Sequence, residues 1–299
     1  MKRRIFSGLC TALVTPFSAD GIDFTMLEQL IDGQIEAGTE AIVLAGTTGE
    51  SPTLTHEEKL GLFREGVRIA AGRCKIIAGT GSNSTKAAVD LSREAQDCGV
   101  DGLLVVTPYY NKATQPGLVK HYRAICEAVE ISVIAYNVPS RTGVDISVDT
   151  CKALAEIPNL VGIKEACGDI SKVARILADT DLAVWSGNDD QTVPVMALGG
   201  AGVISVASNV IPKQLHELTA AALRGDFAKA AVLQRKYQKL MDLLFCQVNP
   251  IPIKAAMRMI GMDCGECRMP LDGLTGENAR KLQLCLDELG ISAYNEKNS

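Results

Sequence analysis

Aromatic residues make up only 4% of this 299-residue chain, and tryptophan occurs once. Positive charge is not in excess either: 30 Lys and Arg face 35 Asp and Glu, for a net charge of −5. A chain with no basic patch and few stacking rings is poorly equipped to hold a nucleic-acid backbone, so no nucleic-acid partner is expected. Histidine is scarce, confined to His56, His121 and His216, none of them in a ligand-like pair. The candidate strand ends also carry few carboxylates, so a zinc-dependent mechanism lacks its ligands and no metal is expected. No run is long and apolar enough to span a bilayer, and no membrane partner is expected. The start, "MKRRIFSGLCTALVTPF", imitates a signal peptide, but Gly8 and Pro16 interrupt its apolar run and no cleavage site is evident.

Cysteine, by contrast, is abundant at ten residues. Eight are scattered singly, mostly in apolar settings, which suits reduced core thiols and a cytoplasmic location. The close pair is "CGEC", Cys264 and Cys267. It has no second pair and no neighbouring histidine to complete a zinc site.

Short Val/Ile/Leu runs alternate with amphipathic helical stretches to about residue 223. The candidate strands are "GLCTALVTP", "EAIVLAG", "CKIIAGTG", "VDGLLVVTP", "ISVIAYNVP", "LVGIKEA", "DLAVWSG" and "AGVISVAS". Helical segments between them include "TKAAVDLSREAQDCG", with Gly99 as its stop signal. Apolar strands separated by helices pair in parallel with both sheet faces covered. Eight such units predict an α/β fold, a (β/α)₈ TIM barrel over residues 1–223. An open doubly wound sheet is the poorer fit, because no Gly-x-Gly-x-x-Gly turn follows the first strand. Residues 224–299 read as a C-terminal helical extension of two or three helices packed on the barrel.

Barrel active sites lie at the C-terminal strand ends. There this sequence places "GTTGES" (46–51), "TPYYNK" (107–112), "YNVPSRTG" (136–143), Lys164 with Glu165, "SGND" with Gly187, and "GVISVAS". "GTTGES" lacks the lysine of a Walker-type phosphate loop. Lys164 stands out because it follows directly on the apolar run "LVGI", and an ammonium rarely enters such a run unpaired. Two readings stay open at this point. In an apolar barrel mouth a neutral amine can attack a ketone and form an imine, whose positive nitrogen draws electrons from the adjacent carbon. Alternatively Lys164 pairs with Glu165 or another acid and merely closes the barrel. Tyr136, ending the preceding strand, could carry protons for such an imine if the hydroxyls of Thr47 and Tyr110 relayed them.

"GTTGES", "TPYYNKATQPG", "YNVPSRTG", "GIKEACGD" and "GAGVISVASN", in that order and spacing, resemble the dihydrodipicolinate synthase family of pyruvate-dependent class I aldolases, over essentially the whole chain. The resemblance implies a lyase that condenses pyruvate with L-aspartate 4-semialdehyde to 4-hydroxy-tetrahydrodipicolinate, in lysine and diaminopimelate biosynthesis, with no cofactor beyond a covalent pyruvate imine. It implies Lys164 as the imine-forming amine and Tyr136 as proton donor and acceptor. Thr47 and Tyr110 would complete the relay, with Tyr110 reaching across a subunit interface. Thr48 would hold the pyruvate carboxylate, with Ile204 and Gly187 lining the same pocket, and Arg141 would take the carboxylate of the semialdehyde. It further implies a homotetramer built as a dimer of dimers.

N-acetylneuraminate lyase and keto-sugar-acid aldolases are the enzymatic alternatives, although the sialic acid lyases typically lack the "PSRTG" arginine and the "PYY" pair. An inactive barrel serving as a binding protein is the alternative outside catalysis. Ser51, His56, Asn83 and Tyr109 match the family's inhibitory lysine site. Lys59 and Ala87 depart from it, standing where inhibited members carry histidine and glutamate. Weak or absent lysine feedback is the resulting expectation.

Overall fold

The structure is a computed structural model and describes residues 4–291. The first residues of the basic start and the last eight of the extension lie outside the described residues. Eight parallel strands close into a barrel: β1 Gly8–Ala12, β2 Ala41–Leu44, β3 Lys75–Gly79, β4 Gly102–Val106, β5 Ser132–Asn137, β6 Leu160–Glu165, β7 Ala183–Ser186 and β8 Gly202–Ser205. Closure comes from β1, which pairs with β2 on one side and β8 on the other. These are the eight expected runs, and the apolar stretch that imitated a leader is β1, buried along its length.

The strands are nearly continuous in apolar residues because each is covered twice, by helices outside and by other strands inside. The outer core lies between sheet and helices and includes Leu27, Phe63, Leu103, Leu118 and Ile163. Each such side chain stabilises the fold by roughly 1.5–3 kcal/mol on leaving water. The inner core fills the barrel with Cys10, Val43, Ile77, Ile134, Trp185 and Ile204. Trp185 stacks on Phe6 with ring centroids 4.9 Å apart. Gly162 makes room for that indole: a Cβ there would lie 2.6 Å from the Trp185 ring.

Local signals set the helix ends. Ser84 Oγ accepts from the Ala87 N–H at the start of helix Thr85–Asp97, and the chain turns away through Gly99 at φ +87°. Thr55 and Glu58 form a capping box on helix His56–Ala70, fixing the exit of the "GTTGES" loop. After helix Pro212–Leu223 come three more helices, Phe227–Leu243, Ile251–Met259 and Gly276–Glu288.

Candidate active site

Strands β5 and β6 pair in register, Tyr136 opposite Lys164 and Asn137 opposite Glu165. Strand alternation sends the first pair into the barrel and the second outward. The outward pair is cemented by charge. Asn137 Nδ2 donates to Glu165 Oε1 at 2.8 Å, and Lys172 Nζ lies 3.2 Å from Glu165 Oε2 and also pairs with Asp145. Those carboxylates hold the Lys172 pKa above its ordinary value despite its burial, which pulls the other way. Glu165 is therefore committed to Lys172, and it is not the partner of Lys164.

Among the described residues three lysines are buried: Lys164 at 4%, Lys172 at 5% and Lys254 at 3% exposure. Lys172 and Lys254 each sit within 3.2 Å of a carboxylate. Lys164 has none within ion-pair distance among the described residues. Its Nζ stands 4.3 Å from the centroid of the Tyr136 ring. This separates the two readings of the sequence: the lysine does not close the barrel as half of an ion pair.

Lys164 and Tyr136 open into a cavity of about 900 Å³ lined also by Thr47, Thr48, Arg141 and Gly187. Gly187 is a steric requirement, since a Cβ would sit 2.6 Å from Ala166 Cβ and 3.2 Å from Lys164 Cε. Thr47 and Thr48 lie on a loop held from the C-terminal helices. Glu50, at φ +57°, is buried; its Oε1 lies 2.7 Å from Lys254 Nζ and its Oε2 accepts the Arg268 N–H at 2.8 Å. Lys254 and Arg268 in turn flank the Phe17 ring, at 4.3 and 4.2 Å from its centroid. Arg268 also forks onto Glu58, whose pKa it holds below the usual carboxylate range.

Two expected site residues are not among those lining this chain's cavity. Ile204 is fully buried in the inner core beside Ala12 and Tyr136, two residues that line the cavity, and is not itself among the lining residues. Tyr110 is 90% exposed, has φ +74°, and does not line this chain's cavity. Of the suspected inhibitory set, Ser51, His56 and Tyr109 line the same cavity, as do the departing residues Lys59 and Ala87. Asn83 does not line it; its carbonyl accepts from Asn111 Nδ2 at 2.8 Å. His56 Nε2 lies 2.8 Å from Glu94 Oε2. Cys264 and Cys267 are free thiols whose pKa values burial pushes up to about 12 and about 11, so neither is activated. Among the described residues no group of three or more His, Cys, Asp or Glu is placed to hold a metal ion.

Three contributors escaped the sequence reading. Lys254 could have been found by the rule that drew attention to Lys164, because it too sits in an apolar run, "IPIKAAM". Asn249 Nδ2 donates to Thr48 Oγ1 at 3.0 Å, and its carbonyl accepts from Arg141 Nη2 at 3.1 Å. Asp189 caps the start of the segment after β8, its Oδ2 accepting the Val206 and Ala207 N–H groups at 3.0 Å each, and burial pushes its pKa up. No pattern in the sequence marks Asn249 or Asp189.

A sequence model of the dihydrodipicolinate synthetase family matches residues 5–289. The 4-hydroxy-tetrahydrodipicolinate synthase of Alkaliphilus oremlandii is 48% identical over 287 residues, covering 95% of this chain and 98% of that one. The crystal structure of dihydrodipicolinate synthase from Aquifex aeolicus superposes with a TM-score of 0.94 at 45% identity, covering 97% of this chain and 100% of that one. The chloride-inhibited dihydrodipicolinate synthase of Acinetobacter baumannii, crystallised with pyruvate, gives a TM-score of 0.94 at 46% identity over 96% of this chain and 99% of that one.

Proposed function

The chain belongs to the dihydrodipicolinate synthetase family, and from that premise we propose how its cavity does the family's work. The protein is a lyase that condenses pyruvate with L-aspartate 4-semialdehyde to give 4-hydroxy-tetrahydrodipicolinate. It needs no organic or metal cofactor, because the pyruvate imine is itself the electron sink. The single observation that carries the site assignment is that Lys164, alone of the three buried lysines, has no carboxylate partner among the described residues.

In this reading the Lys164 amine attacks the carbonyl carbon of pyruvate. Loss of water leaves a protonated imine. Tyr136 removes a proton from the methyl carbon, giving an enamine, and returns a proton as the enamine carbon bonds to the aldehyde of the second substrate. The amine of that substrate then adds to the imine carbon, the bond to Lys164 breaks, and the ring closes with the lysine regenerated. Thr48 holds the pyruvate carboxylate and Arg141 the carboxylate of the semialdehyde, where a planar fork gives two parallel hydrogen bonds. Thr47 passes protons from Tyr136 towards solvent.

Tyr110 completes that relay from a neighbouring subunit. Its near-complete exposure, away from this chain's own cavity, supports the assignment. A homotetramer built from tight dimers follows as the assembly, and a cytoplasmic location suits ten free cysteines. Residues 1–223 form the catalytic barrel in this reading, and 224–299 brace its mouth through Asn249, Lys254 and Arg268.

Borohydride reduction in the presence of pyruvate, followed by peptide mass spectrometry, tests the assignment: the adduct is expected on Lys164 and nowhere else. Rates with aspartate semialdehyde should far exceed those of N-acetylneuraminate cleavage. An adduct on another lysine would remove Lys164 from the mechanism.

A further inference from the structure

We infer that Asn249 is a positioning residue that sets the two carboxylate anchors, Thr48 and Arg141, at the same time. The inference rests on the pyruvate-condensing reading of the cavity. Thr48, Arg141 and Asn249 belong to three separate segments: the loop after β2, the short helix Pro139–Thr142 after β5, and the turn before helix Ile251–Met259. Asn249 touches both of the others. It is buried, it lines the cavity, and its neighbours Gln247 and Val248 line the cavity with it.

The direction of the hydrogen bonds gives the contact its meaning. A threonine hydroxyl has one proton to donate and lone pairs to accept with. Thr142 shows what such a group does when left to its surroundings: its Oγ1 turns to backbone carbonyls of Val138 and Val144, at 3.2 and 3.0 Å. Thr48 Oγ1 instead accepts from Asn249 Nδ2, and among the described residues no acceptor takes its proton. The hydroxyl is thereby oriented with its donor free for an incoming carboxylate. The Asn249 carbonyl does the complementary thing for Arg141. It occupies Nη2 at 3.1 Å, and the guanidinium makes no other hydrogen bond among the described residues, so Nε and Nη1 stay available. The side-chain Oδ1 of Asn249 is buried without a partner among the described residues, so the amide is held by its place between the two anchors and not by a network of its own.

The two halves of the contact are chemically separable, because the side chain serves Thr48 and the main chain serves Arg141. Asn249→Ala should raise the KM for pyruvate about 3- to 12-fold, the range that loss of one neutral hydrogen bond spans. The turnover number and the KM for the semialdehyde should stay within about twofold. In a Thr48→Val background, which has no hydroxyl to orient, the same substitution should change the pyruvate KM by less than about twofold. An equal rise in both backgrounds, or no rise in the native one, overturns the inference. Should Asn249→Ala fold poorly, Asn249→Asp keeps the volume but puts a charge against the anchor; it should raise the pyruvate KM more than Thr48→Val does, and an unchanged KM is equally fatal. A wild-type protein that gives no borohydride-trapped pyruvate adduct would instead overturn the parent reading, and this inference with it.

Discussion

The Lys164 amine stands 4.3 Å above the ring of Tyr136, and the two residues occupy one rung of the barrel wall. The ring gives the amine a face, and in the proposed mechanism the phenol gives the exchangeable proton, so the two contributions can be taken apart. Tyr136→Phe keeps the ring and removes the proton. Borohydride should still trap pyruvate on Lys164 in this variant, while turnover falls by about 10²- to 10⁴-fold, the usual worth of a positioned acid–base group. Equal loss of trapping and turnover would show that the phenol acts before the imine forms.

Tyr110 presents the same question at the surface of the chain. Its side chain is almost wholly exposed, and its backbone at φ +74° is one that a bulky residue adopts only when the surrounding loop holds it there. Tyr110→Phe is expected to lower turnover far more than the yield of trapped imine. Sedimentation of the variant should match that of the wild type, since a hydroxyl alone is removed. Activity that is insensitive to Tyr110→Phe would confine the proton relay to a single subunit.

The Glu50–Lys254 pair bears on stability and substrate binding together. Both groups are buried, and removing one partner of such a pair leaves an uncompensated charge at a cost of about 3–5 kcal/mol. Lys254→Met should destabilise by that amount in urea unfolding and raise the pyruvate KM, because Glu50 shares its loop with Thr48. The double variant Lys254→Met, Glu50→Gln should recover much of the loss. A double variant as unstable as the single one would mean that Lys254 acts through packing on Phe17 instead.

The barrel was legible because its strands are buried on both faces, so every one of them reads as an apolar run bounded by turns. Lys164 was legible as a lysine where an apolar run leaves no place for one, but its lack of an acidic partner was not: adjacency to Glu165 in the sequence offered a pair, whereas strand alternation turns Glu165 outward to Lys172. Asn249 lay beyond reach, since its contacts to residues 48 and 141 are made across the fold and leave no local pattern.

Regulation is the next point at which chemistry decides. Lys59 is half-buried in the cavity wall, burial lowers its pKa, and no carboxylate is within ion-pair reach among the described residues. Ala87 on the same wall offers no counter-charge, and Glu94 is already engaged by His56. A wall with a cation and no free acid repels the two ammonium groups of L-lysine. Initial rates are therefore expected to be unchanged by sub-millimolar L-lysine, and the pair Lys59→His, Ala87→Glu should introduce inhibition. Strong inhibition of the native protein would contradict this.

Acid sensitivity should trace in part to His121, on helix Gln115–Glu127. Its Nδ1 lies 2.9 Å from Thr85 Oγ1, while Nε2 is buried with no partner among the described residues. Burial holds the imidazole pKa down to about 4, against an ordinary value near ~6.5 in an unfolded chain. Between those two values the unfolded chain binds a proton that the folded chain refuses, so stability falls as pH drops through that window and is unaffected by this group above it. The loss is at most about 3 kcal/mol by pH 4, since each pH unit between the two values costs about 1.4 kcal/mol. His121→Gln keeps an acceptor for Thr85 and cannot charge. It should be somewhat less stable than the wild type at pH 7.5, yet lose less between pH 6.5 and pH 4.5 when urea midpoints are compared. Parallel pH profiles for the two proteins would show that the buried ring is protonated in the native state without penalty, and that the acid-sensitive groups lie elsewhere.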